Sequence, residues 1–130
     1  MMVLAGAVGI EVPDVRHWSL IYRDPRTPTL APAYDLVATF VYRPDGQGPE
    51  DMGLRFGRSH RFEDVRLGTF AALDRRLGAK AELADVARTL VNRVLAEWPI
   101  AQALLADRPE LCRPIERMIR ERAAQLLMKR

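Results

Sequence analysis

Two carboxylates in the first third of the chain have surroundings that suit catalysis. Asp35 closes the run LAPAYD at 30–35, an apolar stretch that ends on a charge, and Asp14 lies upstream in VPDVRH at 12–17. Between them stand two segments of strand composition, WSLIY at 18–22 and TLAPAY at 29–34, with the turn-forming RDPRTP between the two. Carboxylates on either side of a hairpin suit magnesium-assisted phosphoryl transfer. That chemistry is mostly positioning and charge neutralisation. It asks for a carboxylate at the substrate hydroxyl, oxygen ligands on the metal, and a glycine-rich loop and a lysine on the phosphates. A hairpin meets the first two demands when the catalytic loop precedes its first strand and the metal-binding aspartate follows its second. The residues alone also allow Asp35 to be a turn or helix-capping aspartate after a proline-containing strand.

The elements that must hold these groups change character along the chain. Pro32 cannot donate to a ladder, which places the second strand at an edge and near its end. RPDGQGPED at 43–51 is a loop by composition, and MGLRFG at 52–57 reads as a short extended segment. From residue 62 the apolar period becomes helical. Phe62, Val65, Phe70, Leu73 and Leu77 predict a helix stopped by Gly78. Leu83, Val86, Ala87, Leu90, Val94, Leu95 and Trp98 predict a second helix ended by Pro99. A short helical turn is expected at 100–105, and a last helix opening near Pro114 with Ile115, Met118, Ile119, Leu126 and Leu127 inward. The expected class is α+β, mainly helical: a short β-hairpin followed by three or four helices.

Set in this order, WSLIY at 18–22 and LAPAYDL at 30–36 resemble the C-terminal region of the HipA-like serine/threonine kinases, toxins of bacterial toxin–antitoxin pairs. In that family a Leu-x-Pro-x-Tyr-Asp pattern ends in the magnesium-binding aspartate. MGLRFG followed by RFEDV and a helix is similar to the family's stretch after the metal site, which extends the resemblance over residues 16–125. The resemblance implies the later part of a kinase-like large lobe, with Asp35 as metal ligand and magnesium and ATP as cofactors. It also implies a protein substrate, a cytoplasmic location, and an antitoxin or a separately encoded kinase lobe as partner. Residues 1–15 stay unassigned, and 126–130 read as a basic tail.

The chain departs from the family pattern where catalysis would begin. The family reads Asp-x-His-x-Lys-Asn before the first strand; the aligned positions here hold Val12, Asp14, Arg16 and His17. Asp14, two residues out of register, is the one nearby carboxylate able to stand in as catalytic base, and His17 is a poor ligand for a hard cation. No Gly-x-Gly-x-x-Gly or Gly-Lys-Ser/Thr nucleotide loop occurs. The expectation is therefore a truncated kinase subdomain, inactive alone or completed by another chain.

Charge and composition bound the alternatives. The formal net charge is +3, and the excess is C-terminal: residues 67–130 carry 12 basic and 8 acidic side chains against 8 and 9 in 1–66. Arg113, Arg117, Arg120 and Arg122 in the last helix form either a solvated face or a phosphate-facing one, so a small helical binding module with a basic last helix is the reading from another class. No aromatic or glycine-rich readout element accompanies them, which argues against direct nucleic-acid binding. One cysteine, Cys112, excludes an internal disulfide and a zinc cluster, and is expected to be a structural thiol. The apolar MMVLAGAVGI is ended by Glu11, too short for a membrane span. His60 is expected at the surface, Tyr34 and Trp18 as packing residues, and Ser19 has no partner for nucleophilic catalysis.

Overall fold

The computed structural model describes residues 19–32, 38–43, 51–52, 55–78 and 80–128. Its first element is an antiparallel hairpin of β1 (Leu20–Asp24) and β2 (Thr27–Leu30). Asp24 makes the turn. Its carboxylate accepts the Arg26 N–H at 3.2 Å and the Thr27 hydroxyl at 2.7 Å, while Pro25 fixes the φ that the turn needs. Those two bonds hold the Asp24 carboxyl below its ordinary range, the Thr27 hydroxyl contributing most.

The register pairs Leu20 with Leu30, Ile21 with Thr29 and Tyr22 with Pro28, and a bulge follows Tyr22. The Ala31 N–H donates to Ser19 O at 2.8 Å, so pairs alternate outward from there and the Pro28 nitrogen points away from β1. Pro28 is thereby tolerated in a strand, and it leaves the outer edge of β2 without a donor at that point. Leu20, Leu30, Tyr22 and Pro28 share one face, and all nine strand residues are exposed, Leu20, Tyr22 and Leu30 by more than half.

The strands are shifted from the expected ones. β1 runs two residues further than WSLIY, to Asp24, because the Asp24 turn sets where pairing starts. β2 ends before Pro32, and Thr39–Tyr42 is a 3-10 turn that lies against the last helix with Phe40 buried. In MGLRFG, expected to be a short extended segment, Gly53 and Leu54 lie outside the described residues. Phe56 and Ser59 bridge across a tight turn in which Gly57 has φ +68°.

Three helices follow: α1 (Leu67–Leu77), α2 (Leu83–Ala103) and α3 (Pro109–Leu127). The helix expected from residue 62 is split. Phe62–Asp64 is a 3-10 turn, Val65 and Arg66 are extended, and α1 starts at Leu67. Phe62 and Val65 are both buried. Gly78 closes α1 in the left-handed conformation, as its position predicts. Leu77, expected inward, lies at the end of α1 and is exposed, as is Val86 on α2.

Pro99 does not end α2. The helix continues to Ala103 and absorbs the helical turn expected at 100–105. Pro99 lies on the exposed side of the helix, while the neighbouring Trp98 is buried against α3. Likewise α3 opens at Pro109 and carries Pro114 inside it; the first-turn proline is Pro109.

Val65, Phe70, Ala87, Val91, Ala123 and Leu126 form the main core where α1, α2 and α3 meet. A second cluster of Trp98, Cys112 and Ile119 joins α2 to the first half of α3, with Val94 and Leu95 common to both. Cys112 is buried there, as expected of a structural thiol. α3 runs on past residue 125 to Leu127, which places Leu126 in the core. The result is α+β and mainly helical, a two-stranded hairpin followed by three helices.

Candidate functional site

Asp14 and Asp35, the carboxylates singled out by the sequence, both lie outside the described residues, as do His17, Trp18 and Tyr34. What the structure places is the scaffold between them. The bond from Ala31 to Ser19 brings the two open ends of the hairpin together, Asp35 being four residues beyond one end and Asp14 five before the other. Among the described residues no group of three His, Cys, Asp or Glu side chains is arranged to hold a metal ion.

The described polar chemistry lies instead around the segment 52–66 that leads into α1. Arg122, expected among the exposed cations of the last helix, is buried. Its guanidinium donates to Glu63 Oε1 at 2.5 Å and to Gln125 Oε1 at 2.9 Å, and its Nε has no partner among the described residues. Burial works to raise the Glu63 carboxyl. The hydrogen bond and charge of Arg122, with help from the backbone and Arg61, outweigh it and hold the group below the ordinary glutamate value. Arg122 thus ties the 3-10 turn to α3 across 59 residues of sequence.

Arg66 reinforces the same turn by donating to the Glu63 and Val65 carbonyls. The sequence does carry a signal for this arrangement. Ile115, Ile119, Arg122 and Leu126 fall on one helical stripe, so an arginine on the apolar face of α3 has to be buried and paired. Asp74 was also not singled out from the sequence. Its Oδ2 accepts the Leu83 N–H at 2.6 Å, and so a side chain from α1 caps the start of α2.

Ahead of the 3-10 turn, the tight turn at 55–61 is held on every inner side. The Phe56 ring lies 4.9 Å from that of Phe70, centre to centre. The Ser59 hydroxyl bonds Asp64 at 2.5 Å, and the Met52 N–H donates to His60 O at 2.7 Å. Arg55 Nε donates to His60 Nε2 at 3.1 Å, which leaves Nδ1 as the protonated nitrogen facing Met52 O at 3.1 Å. His60 is at the surface, as expected, and it positions an arginine there. A cleft of about 430 Å³ between the end of α2 and the start of α3 is lined by Pro99, Gln102, Leu105, Cys112, Arg113 and Glu116. It has apolar walls and one polar rim.

No family model matches the sequence, and no solved structure matches it. Among curated proteins it is similar to "Putative kinase Y4dM" of Sinorhizobium fredii (strain NBRC 101917 / NGR234), with 36% identity over 102 residues. That match covers 75% of this chain and 23% of the other, so the chain spans about a quarter of the length of the curated relative it matches. No helix among the described residues is long and apolar enough to cross a membrane. The similarity relates this chain to a protein described as a kinase.

Proposed function

We propose that this chain is a partial HipA-like kinase subdomain, the later part of the large lobe, whose family function is ATP-dependent phosphorylation of serine or threonine in a target protein as the toxin of a toxin–antitoxin pair. The observation that carries the reading is the 36% identity over 102 residues to a protein named as a kinase, joined to the pattern LAPAYDL at 30–36. In this reading Asp35 is the metal ligand, with magnesium and ATP as the implied cofactors. Asp14 is the one stand-in for the absent catalytic aspartate. The chain by itself does not transfer phosphate, since Val12 occupies the aligned catalytic position and no nucleotide loop is present.

The test is incubation of the purified chain with magnesium and radiolabelled ATP. No autophosphorylation and no ATP hydrolysis is the expected result; turnover that disappears in Asp35→Ala would overturn the inactive reading while supporting the metal role of Asp35.

A second reading makes the chain one part of a split kinase. The exposed apolar face of the hairpin favours it: Leu20, Tyr22 and Leu30 are each more than half exposed, an apolar patch that suits a docked partner. Co-expression with the neighbouring gene product, followed by affinity capture and a phosphorylation assay, tests this; a partner that neither co-purifies nor restores activity removes it. The helical binding module with a basic last helix rests on Arg113 and Arg117 among the described residues, because Arg120 is held by Glu116 at 2.8 Å and Arg122 by Glu63.

A further inference from the structure

A two-stranded hairpin on its own is marginal in water and needs further strands or a helix against it. In this chain all nine residues of β1 and β2 are exposed, so the hairpin gains little from the helices. Its two edges differ. Counting from the bond between Ala31 and Ser19, Ile21 and Thr29 turn their backbone groups toward each other, while Leu20 and Tyr22 on β1 and Pro28 and Leu30 on β2 turn theirs outward. The outer edge of β2 is blunted, because Pro28 has no N–H to offer. The outer edge of β1 offers two donors and two acceptors, the N–H and C=O of Leu20 and of Tyr22. None of these four groups has a partner among the described residues.

We propose that β1 pairs antiparallel with β1 of a second copy of this chain, edge to edge about a two-fold axis at Ile21, to make one four-stranded sheet. In this register Leu20 exchanges both backbone bonds with Tyr22 of the second copy, and Tyr22 does so with its Leu20, so every outward group of β1 is used. An axis at Leu20 would carry Tyr22 beyond the end of the opposite strand, and one at Tyr22 would carry Leu20 across the bulge to Asp24. The side chains agree with the central register. Leu20 comes opposite Tyr22 on the face that also carries Leu30 and Pro28, and Ile21 comes opposite its own counterpart on the other face, both of them favourable cross-strand pairs. Arg23 falls beside Ser19 of the second copy and not beside its own counterpart, so like charges do not meet there.

Two copies complete the assembly. Each far edge of the four-stranded sheet is then a β2 carrying Pro28, which resists a third copy, so the product is a closed dimer and not a fibre. An unrelated extended segment would satisfy the same backbone groups, but the second copy brings a strand whose far side is already blunted and whose leucine and tyrosine match the two open positions. The proposal does not depend on the kinase reading. It uses the edge of the hairpin and leaves the apolar face open.

The experiment is sedimentation equilibrium of the purified chain from about 1 μM to about 1 mM. The mass is expected to rise from the 14.7 kDa of one chain toward twice that value and no further. Tyr22→Pro removes an outward N–H without touching a bond to β2, and is expected to weaken the dimer at least about tenfold. Cross-strand nuclear Overhauser contacts between Ile21 and Thr29 verify that the variant keeps its hairpin. A pair of charge variants tests the register without proline. Leu20→Lys/Tyr22→Lys sets like charges opposite each other and is expected to dissociate the dimer, whereas Leu20→Glu/Tyr22→Lys sets opposite charges at the same positions and is expected to restore it. A chain that stays monomeric over the whole range overturns the proposal, as does assembly beyond two copies. A dimer that the lysine pair leaves intact, or that both charge variants weaken equally, also overturns it.

Discussion

Removing Glu63 tests the central tertiary contact of this protein. In Glu63→Ala the Arg122 side chain, 7% exposed, keeps its burial and loses its carboxylate; among the described residues Gln125 is then its one remaining partner, with Nε already unserved. Taking one partner from a fully buried pair costs about 3–5 kcal/mol. Glu63 is 42% exposed, so water already screens its end of the pair and can reach part of the space left behind; the expected loss is roughly 2 kcal/mol. Arg122→Met in place of the arginine supplies an apolar side chain of similar length on the stripe with Ile119 and Leu126, and it removes the charge that needs Glu63. In that background Glu63→Ala is expected to cost no more than about 0.5 kcal/mol, the range of ordinary surface changes.

Urea denaturation followed at 222 nm for the four members of the cycle gives the coupling directly. The reasoning is refuted if Glu63→Ala is neutral in the parent, or if it costs the same with and without Arg122. The pH dependence supplies an independent check on the same pair. The folded Glu63 carboxyl sits below its ordinary value of 4.5, so its contribution is complete above that pH and is lost as pH falls through the lower, folded value. Glu63→Gln is expected to flatten the stability profile below about pH 4.5 relative to the parent.

Three further substitutions have definite expected outcomes. Gly57→Ala combines a φ of +68° with a 2.9 Å approach to Thr69 and is expected to cost about 1–3 kcal/mol by thermal denaturation; a neutral effect would show that the turn moves freely from α1. Asp74→Ala removes the acceptor of the Leu83 N–H and is expected to lower stability by about 1 kcal/mol, with faster amide exchange at the start of α2 and an unchanged α3. Pro99→Ala on the exposed side of α2 restores a helical hydrogen bond and is expected to raise stability by about 1–3 kcal/mol in the same urea assay; a loss would mean that the proline ring makes a contact the helix needs.

Much of the architecture is legible in the sequence because it is set by near neighbours. The α+β class, the hairpin and the three helices follow from local composition and period. The glycine stop at Gly78 follows from the αL conformation that only glycine adopts without strain, and the surface position of His60 from its polar surroundings. The family resemblance also belongs to the sequence. It rests on LAPAYDL and WSLIY, whose aspartate lies outside the described residues.

Tertiary contacts decided the rest. By local rules Pro99 ends a helix and Pro114 opens one, yet α2 and α3 run through them because the packing of Trp98, Cys112 and Ile119 between the two helices outweighs one missing bond apiece. The break between Phe62 and Leu67 is held by tertiary contacts, with Phe62 and Val65 buried and Glu63 bonded to Arg122 of α3. Four arginines on the last helix read as one basic face. Folding buries Arg122 on Glu63, 59 residues away along the chain, a partner chosen by proximity in space, while Arg120 pairs locally with Glu116.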